Sequence, residues 1–292
     1  MSTGLSKKFQ ERILIELKKK SGNVILFIFL VISGAFMFFP VYLTIVMSVK
    51  PPEELFIFPP EIYTSRPTLN NFTEMFEAIR QNRVPFSRYV FNSLTVTVTV
   101  TFFQTVIISM AGFVLAKCKF AGKNLINRII VISLLYQSNV IYIMQYVIIN
   151  KLGLIDSLSA LILPSIASPV GLFLMKQSIS QIPDSIIDSA KTDGAGLFRI
   201  CWQIVIPNQK PALMTLIIFA FQTSWNMQSG AFIFHEEYKT LPTVINQIST
   251  AGLARAGISM AGAVFMLVPP AIIFTLAQSQ IIETMTYSGI KN

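Results

Sequence analysis

IPDSIIDSAKTDGAGLFRICWQIVIPNQKPAL, residues 182–213, is a polar segment set between two long apolar runs. A connection that only joins two helices can be much shorter. This one has an amphipathic first half, an Asp193-Gly194-Ala195 turn, an amphipathic second half, and then Pro207 and Pro211 before the next apolar run. Ile182, Ile186, Ile187 and Ala190 form an apolar patch suited to a helix lying in a partner's groove. Asp184 stands where an acid can cap and favour a helix N-terminus. Gly194 permits a backbone angle that a side chain would forbid. The pattern predicts two short helices lying at a membrane surface and touching something outside the bilayer.

The rest of the chain supplies the membrane. Of 292 residues, 53% are hydrophobic and 13% charged, about half the charge of a soluble domain. The charges cluster and leave six long runs nearly free of them: 23–49, 89–116, 129–149, 157–175, 211–234 and 256–282. Each approaches or exceeds the roughly 18–20 apolar residues that cross a hydrocarbon core. The fourth is the shortest and carries Pro164 and Pro169. Within the second, Thr95 to Thr101 alternates with valine like a strand, but a lone strand in lipid would leave its backbone unpaired. That run is read as a helix with one Thr-rich stripe packed against other helices.

Lys and Arg orient the chain. With the N-terminus inside, 15 of the 23 basic residues fall on the inner side, and the segment 182–213 lies in the cytoplasm. The C-terminus is then also inside. The net charge of +9 therefore reflects membrane topology and does not call for a nucleic-acid partner. Cys118 and Cys201 both fall on the reducing side, so no disulfide is expected. The first apolar run is read as a retained span and not as a cleaved signal.

Residues 1–22 form an amphipathic cytoplasmic tail, with Leu5, Phe9, Ile13 and Leu17 at helical spacing. Residues 23–49 are the first span and 50–88 a long outer loop. Residues 89–283 form a core of five further spans, with the polar loop at 182–211, and 284–292 are a cytoplasmic tail. In the outer loop, Asn71 with Glu74 offers a capping box. Phe72, Met75, Phe76 and Ile79 follow on one face of a short helix, expected on the outer membrane surface or on a partner.

The spans carry almost no ionisable residue, whereas an ion-coupled carrier usually shows some as a relay. They carry instead neutral amides and aromatics, among them Tyr136, Gln137, Asn139, Trp225 and Asn226. Such a set suits the hydroxyls and apolar ring faces of a neutral or weakly charged glycan; the alternative is hydrogen bonding between helices. His235, the one histidine, has no second His or Cys at ligand spacing, so no metal site is expected. No phosphate-binding Gly-rich Lys-Ser/Thr loop is present, so the chain is not itself an ATPase. Nor is there a catalytic constellation or a cofactor motif.

The segment 182–213 resembles the cytoplasmic "EAA" loop of permease subunits of binding-protein-dependent ABC importers. Asp188-Ser189-Ala190 stands where Glu-Ala-Ala is usual, Gly194 at the family's glycine, and Ile204-Val205-Ile206-Pro207 at its end. Phe56-Ile57-Phe58-Pro59-Pro60, Thr68-Leu69-Asn70-Asn71-Phe72, Asn92-Ser93 and Trp225-Asn226 are similar to further elements of the carbohydrate, maltose-permease-like class. Gln280-Ile281-Ile282-Glu283 departs from that class near the tail.

The resemblance implies an all-α integral membrane protein with six transmembrane helices, the type I ABC importer permease fold, N-in and C-in, in a bacterial cytoplasmic membrane. It makes Asp184, Ile186, Ile187, Asp188, Ala190, Asp193, Gly194 and Ala195 the coupling helix that meets an ATPase. The implied partners are a second homologous permease, two cytoplasmic ATP-binding subunits, an extracytoplasmic solute-binding protein and the lipid bilayer. The implied cargo is a carbohydrate, most simply an oligosaccharide, moved by alternating access. The alternatives are a permease for peptide or amino acid, or a stand-alone secondary transporter.

Overall fold

The computed structural model describes residues 3–59, 61–135, 138–250, 252 and 255–288, with side chains omitted at 3–23, 138–140 and 279–288. Its elements are helices, with no strand among the described residues. The longer ones are α1 (Thr3–Ser48), α2 (Asn70–Arg80), α3 (Phe86–Lys117), α4 (Lys123–Ser133), α5 (Ser138–Lys151), α6 (Ser159–Ser165), α7 (Pro169–Ser180), α8 (Asp184–Thr192), α9 (Leu197–Trp225), α10 (Leu241–Ser249) and α11 (Ala256–Ser288). Five segments are long and apolar enough to cross a membrane: Val24–Ser48, Phe86–Lys117, Ser159–Ser180, Leu197–Trp225 and Ala256–Gln278.

The alternating Thr-Val run is helical, as expected, because only a helix closes its own backbone bonds. Its outward residues, Phe91, Leu94, Val98, Phe102, Phe103 and Ile107, are all apolar. Its inward face carries Asn92, Ser93, Thr97, Gln104 and Ser109. That inner face packs on α7 and α9. At Gly112 the helices come so close that an added Cβ would lie 3.1 Å from the Met175 Cβ, the close backbone approach that small residues allow. α11 closes the other side against α1, α2, α9 and α10.

Three expected spans are built differently. The run 129–149 is not one helix: α4 starts earlier, at Lys123, after Gly122 turns the chain at φ +87°, and stops at Ser133. α5 begins at Ser138. The fourth run breaks at 166–168. There Pro169 takes the first-turn position of α7, and the Ser168 hydroxyl accepts the Gly171 N–H at 3.1 Å, capping the new helix.

The fifth helix is shifted toward the N-terminus of its expected run, 211–234. It starts at Leu197 and passes Pro207 through wider and tighter turns, a π segment (Ile200–Val205) and a 3-10 turn (Pro207–Gln209). Such turns absorb the N–H that proline lacks. It ends at Trp225, after which Ser229, Thr240 and Thr243 offer the backbone other partners. The Ser229 N–H donates to the Thr243 hydroxyl at 2.7 Å, and the Thr240 N–H to the Ser229 hydroxyl at 3.1 Å. The tail and first span are one helix of 46 residues, since nothing between them interrupts helical backbone.

Residues 50–88 fold onto the chain itself. Met75 and Ile79 of α2 are buried, and Phe72 and Phe76 meet Phe265 and Phe86 edge-on at centroid distances of 5.0–6.0 Å. This corrects the expectation of a membrane-surface or partner-bound helix: its apolar face is covered by α11 and the start of α3. Asn71 does not cap α2, because it lies inside the helix. Its amide instead donates to the Ser48 carbonyl at 2.9 Å and the Lys50 carbonyl at 2.8 Å, pinning the end of α1.

Gly257 makes this junction possible. A Cβ there would stand 2.4 Å from Asn71 Oδ1, and Asn71 is buried and held by both bonds. Gly257→Ala should therefore destabilise the protein by about 1–3 kcal/mol, the usual cost of forcing a group into a packed site. A thermal unfolding midpoint in detergent equal to wild type would contradict this packing.

Candidate functional site

The segment that decided the sequence reading forms a braced corner at the end of the molecule where α3 and α7 finish. α7 ends at Ser180, Pro183 redirects the chain, and α8 begins at Asp184. Lys117, in the last turn of α3, reaches across this corner. Its Nζ donates to the Ile182 carbonyl and, at 3.5 Å, to the Ser180 carbonyl. It also pairs with Asp184 Oδ1 at 2.7 Å. The Lys117 side chain is only 7% exposed, so the cation is held by these oxygens more than by water. Lys123 does the same for α3, donating to the Cys118 carbonyl at 3.0 Å.

Asp184 lies in the first turn of α8 but makes no capping bond. It is the first helical residue, one position beyond the cap, so its carboxylate meets Lys117 instead. The charge still complements the helix N-terminus. The Lys117 ammonium beside it holds the Asp184 carboxyl below the usual carboxylate range. Acid therefore weakens the pair only as pH falls through that lowered value, and the pair is intact at neutral pH.

α8 ends as its sequence predicts. Gly194 adopts φ +79°. The Gly194 N–H donates to the Lys191 carbonyl and the Ala195 N–H to the Ala190 carbonyl, both at 3.0 Å. These are the two bonds of a Schellman cap, which needs a left-handed residue at that place.

The predicted coupling residues divide between two faces. Ile182, Ile187 and Ala190 are buried against Ile108, Phe113, Met175 and Ile200 of the same chain. They seat α8 and do not offer it to a groove. Asp184, Ile186, Asp188, Asp193 and Gly194 are exposed, and Ala195 is half-buried. The outward apolar surface is completed by two residues the sequence reading passed over, Leu197 and Phe198, the latter 69% exposed. Their signal was the amphipathic second half of the segment, in which Ile200 and Cys201 point inward. A recess of 450 Å³ lies beside this surface, lined by Lys117, Lys119, Asp184, Asp188, Lys191 and Leu197 among others.

The substrate-pathway set is not assembled among the described residues. Tyr136 and Gln137 lie outside them, as does the side chain of Asn139 in α5. Trp225 is 2% exposed, stacks on Phe221 at 6.2 Å, and donates its one N–H to the Met266 carbonyl at 3.1 Å. It is a packing residue between α9 and α11, a correction to its reading as a group open to sugar. The neighbouring Asn226 is exposed and donates to the Gln222 carbonyl at 2.9 Å.

At the opposite end, Asp156 clasps the segment after α9. Its carboxylate accepts the N–H groups of Phe234 (2.6 Å) and His235 (2.8 Å) and meets His235 Nδ1 at 2.7 Å. The His235 and Phe234 backbone N–H groups hold the Asp156 carboxyl below its ordinary value. His235 thus serves a loop clasp, and no group of metal-ligating side chains occurs among the described residues.

Residues 108–287 match the family of binding-protein-dependent transport system inner membrane components. The chain is 29% identical over 273 residues to the arabinooligosaccharides transport system permease protein AraQ of Bacillus subtilis, covering 92% of this chain and 96% of that protein. It is 24% identical to the sn-glycerol-3-phosphate transport system permease protein UgpE of Yersinia pestis, over 89% of this chain and 94% of that one. Its fold is that of a chain in the crystal structure of a bacterial ABC transporter involved in the import of the acidic polysaccharide alginate. The TM-score is 0.71, with 17% identity, 90% of this chain and 97% of that chain covered.

Proposed function

The chain belongs to the family of binding-protein-dependent transport system inner membrane components, and from that membership we propose that it is one of two permeases lining the passage of an ATP-driven carbohydrate importer. The family is a transporter component of the inner membrane and not an enzyme. In this reading the cargo is an oligosaccharide, supported by the relative named for arabino-oligosaccharides. ATP is hydrolysed by two separate cytoplasmic subunits, and an extracytoplasmic binding protein delivers the sugar.

The proposed topology has six crossings with both termini inside. Five are the long helices, and α4 with α5 supplies the sixth as a broken pair. The proposed organisation keeps residues 1–22 and 284–292 as cytoplasmic tails and 50–88 as an outer loop.

The observation that carries the reading is the braced corner. α8 is seated by Ile187 and Ala190, locked by Lys117, and shows Ile186, Asp188, Leu197 and Phe198 outward. That is the form of a lever: rigid toward its own span and adhesive toward a partner. ATP-driven closure of the ATPase pair would move the corner, and with it α7 and α9, between inward-open and outward-open arrangements.

Gly194→Val tests the lever. Nothing lies within 4 Å of a Cβ at this position, so the change acts only through the φ of +79°. A β-branched residue there is a true conformational outlier, and the Schellman cap is lost. Sugar uptake should fall at least about tenfold, the effect of roughly 1.4 kcal/mol, while the protein still inserts and co-purifies with its second permease. Full uptake by this variant would remove the coupling role.

A further inference from the structure

The exposed surfaces of the long helices differ in kind. α3 shows only apolar side chains outward along Phe91 to Ile107, and α1 is apolar from Val24 to Phe39 except for Ser33 and Gly34. α9 differs in its last turn and just after it, where Gln222, Thr223 and Asn226 are exposed. An amide turned to hydrocarbon lacks hydrogen-bond partners and is costly. That face therefore looks into water or onto a polar partner.

The amide surface continues beyond the helix. Gln228 is exposed and its Oε1 accepts from Asn246 Nδ2 at 3.3 Å. α10 buries Leu241, Val244, Ile245 and Ile248 and leaves Asn246 and Gln247 on its open side. The Asn246–Gln228 bond thus brings amides of two chain segments together, on the outer side in the proposed orientation. Residues 211–234 and 241–254 contain no Asp, Glu, Lys or Arg; between them stand Glu236, Glu237 and Lys239, the last paired with Glu236, and Arg255 follows directly.

We infer that Gln222, Asn226, Gln228 and Asn246 form a surface of this subunit that reads uncharged, hydroxyl-rich cargo and rejects anionic sugars. The inference rests on the carbohydrate reading above. Each amide offers two donors and an acceptor with two lone pairs, and the bonds seen, Asn246 to Gln228 and Asn226 to the Gln222 carbonyl, use a small part of that capacity. Sugar hydroxyls, which both donate and accept, match such groups. A carboxylate or phosphate brings a charge for which the two amide-bearing segments hold no cation, and Lys239 between them is already paired with Glu236. A site that rejects charge in this way discriminates through the desolvated, unneutralised ion as well as through the contacts it makes.

The test uses the intact importer, purified with its partner subunits, reconstituted in liposomes and supplied with its binding protein. The cargoes are labelled arabino-, malto- and xylo-oligosaccharides and the anionic trigalacturonate. Wild type should take up one or more of the neutral sugars with ATP and exclude trigalacturonate. Asn246→Asp and Gln222→Glu are nearly isosteric and add a charge. Each should lower neutral-sugar uptake about tenfold or more, the scale of one or two lost hydrogen bonds, while ATP hydrolysis stimulated by the loaded binding protein persists.

Normal neutral-sugar uptake by both variants overturns the inference, as does trigalacturonate uptake by wild type. Loss of the second permease from both variants assigns the amides to a helix contact between subunits and overturns it too. No ATP-dependent uptake of any sugar by wild type removes the carbohydrate reading itself, and this surface assignment with it.

Discussion

Lys117→Met should leave a protein that inserts and pairs with its second permease but transports at less than about a tenth of the wild-type rate. The ammonium ties α3, the end of α7 and the start of α8 together at one point. Methionine keeps most of the side-chain length and none of the charge. The Ser180 and Ile182 carbonyls then lose their donor where little water reaches, since the Lys117 side chain is 7% exposed. Hydrogen bonds to a charged group are worth about 1.5–3 kcal/mol each, enough to let α8 tilt on its seat without unfolding the bundle.

Asp184→Asn should do much less, because Asp184 is 79% exposed and its pair is shared with solvent. Lys117→Arg should restore part of the activity, as the guanidinium keeps the charge but presents a planar fork in place of a point donor. Uptake and ATP hydrolysis measured on the same preparation separate the outcomes. Continued hydrolysis with lost uptake is the expected signature of a loosened lever. Wild-type uptake in Lys117→Met would show that the corner needs no brace.

Trp225→Ala should destabilise the protein by about 3–5 kcal/mol, the cost of emptying a buried aromatic site. The indole stacks on Phe221 and bonds the Met266 carbonyl, so its loss opens a cavity between α9 and α11 and leaves that carbonyl without its donor. The variant should accumulate poorly and melt well below wild type in detergent. Asn226→Ala, one residue on and exposed, should melt like wild type. A Trp225→Ala protein with a normal melting midpoint and impaired sugar uptake would return Trp225 to the passage and displace the packing assignment.

The contrast between these neighbours shows where sequence reading stops. Both lie near the end of an apolar run and both can hydrogen-bond, and the local pattern does not say which of the two is enclosed. The distinction is which side of the last turn of α9 faces α11. In the same way, Ile186 and Ile187 are adjacent identical side chains, one exposed and one buried. Read as one apolar patch, they misplace the outward apolar surface, which also includes Leu197 and Phe198. Asn71 next to Glu74 reads locally as a cap, but the carbonyls that claim its amide lie more than twenty residues away. A local motif cannot register a distant partner.

What the sequence by itself determined was whatever depends on local chemistry and on the bilayer. The apolar runs, the helical state of the Thr-Val stretch, the left-handed Gly194 and the short helix before it follow from backbone satisfaction and glycine's freedom. The family follows from the order and spacing of motifs. What only the tertiary structure decided was which polar groups meet across elements: Lys117 with the α7–α8 corner, Asn71 with the end of α1, Trp225 with α11, Gln228 with Asn246. It also decided where apolar runs break, at α4–α5, at α6–α7 and after Trp225. A backbone in a packed bundle can exchange helical bonds for side-chain partners that another segment brings, and that exchange depends on neighbours in space, which hydropathy along the chain does not record.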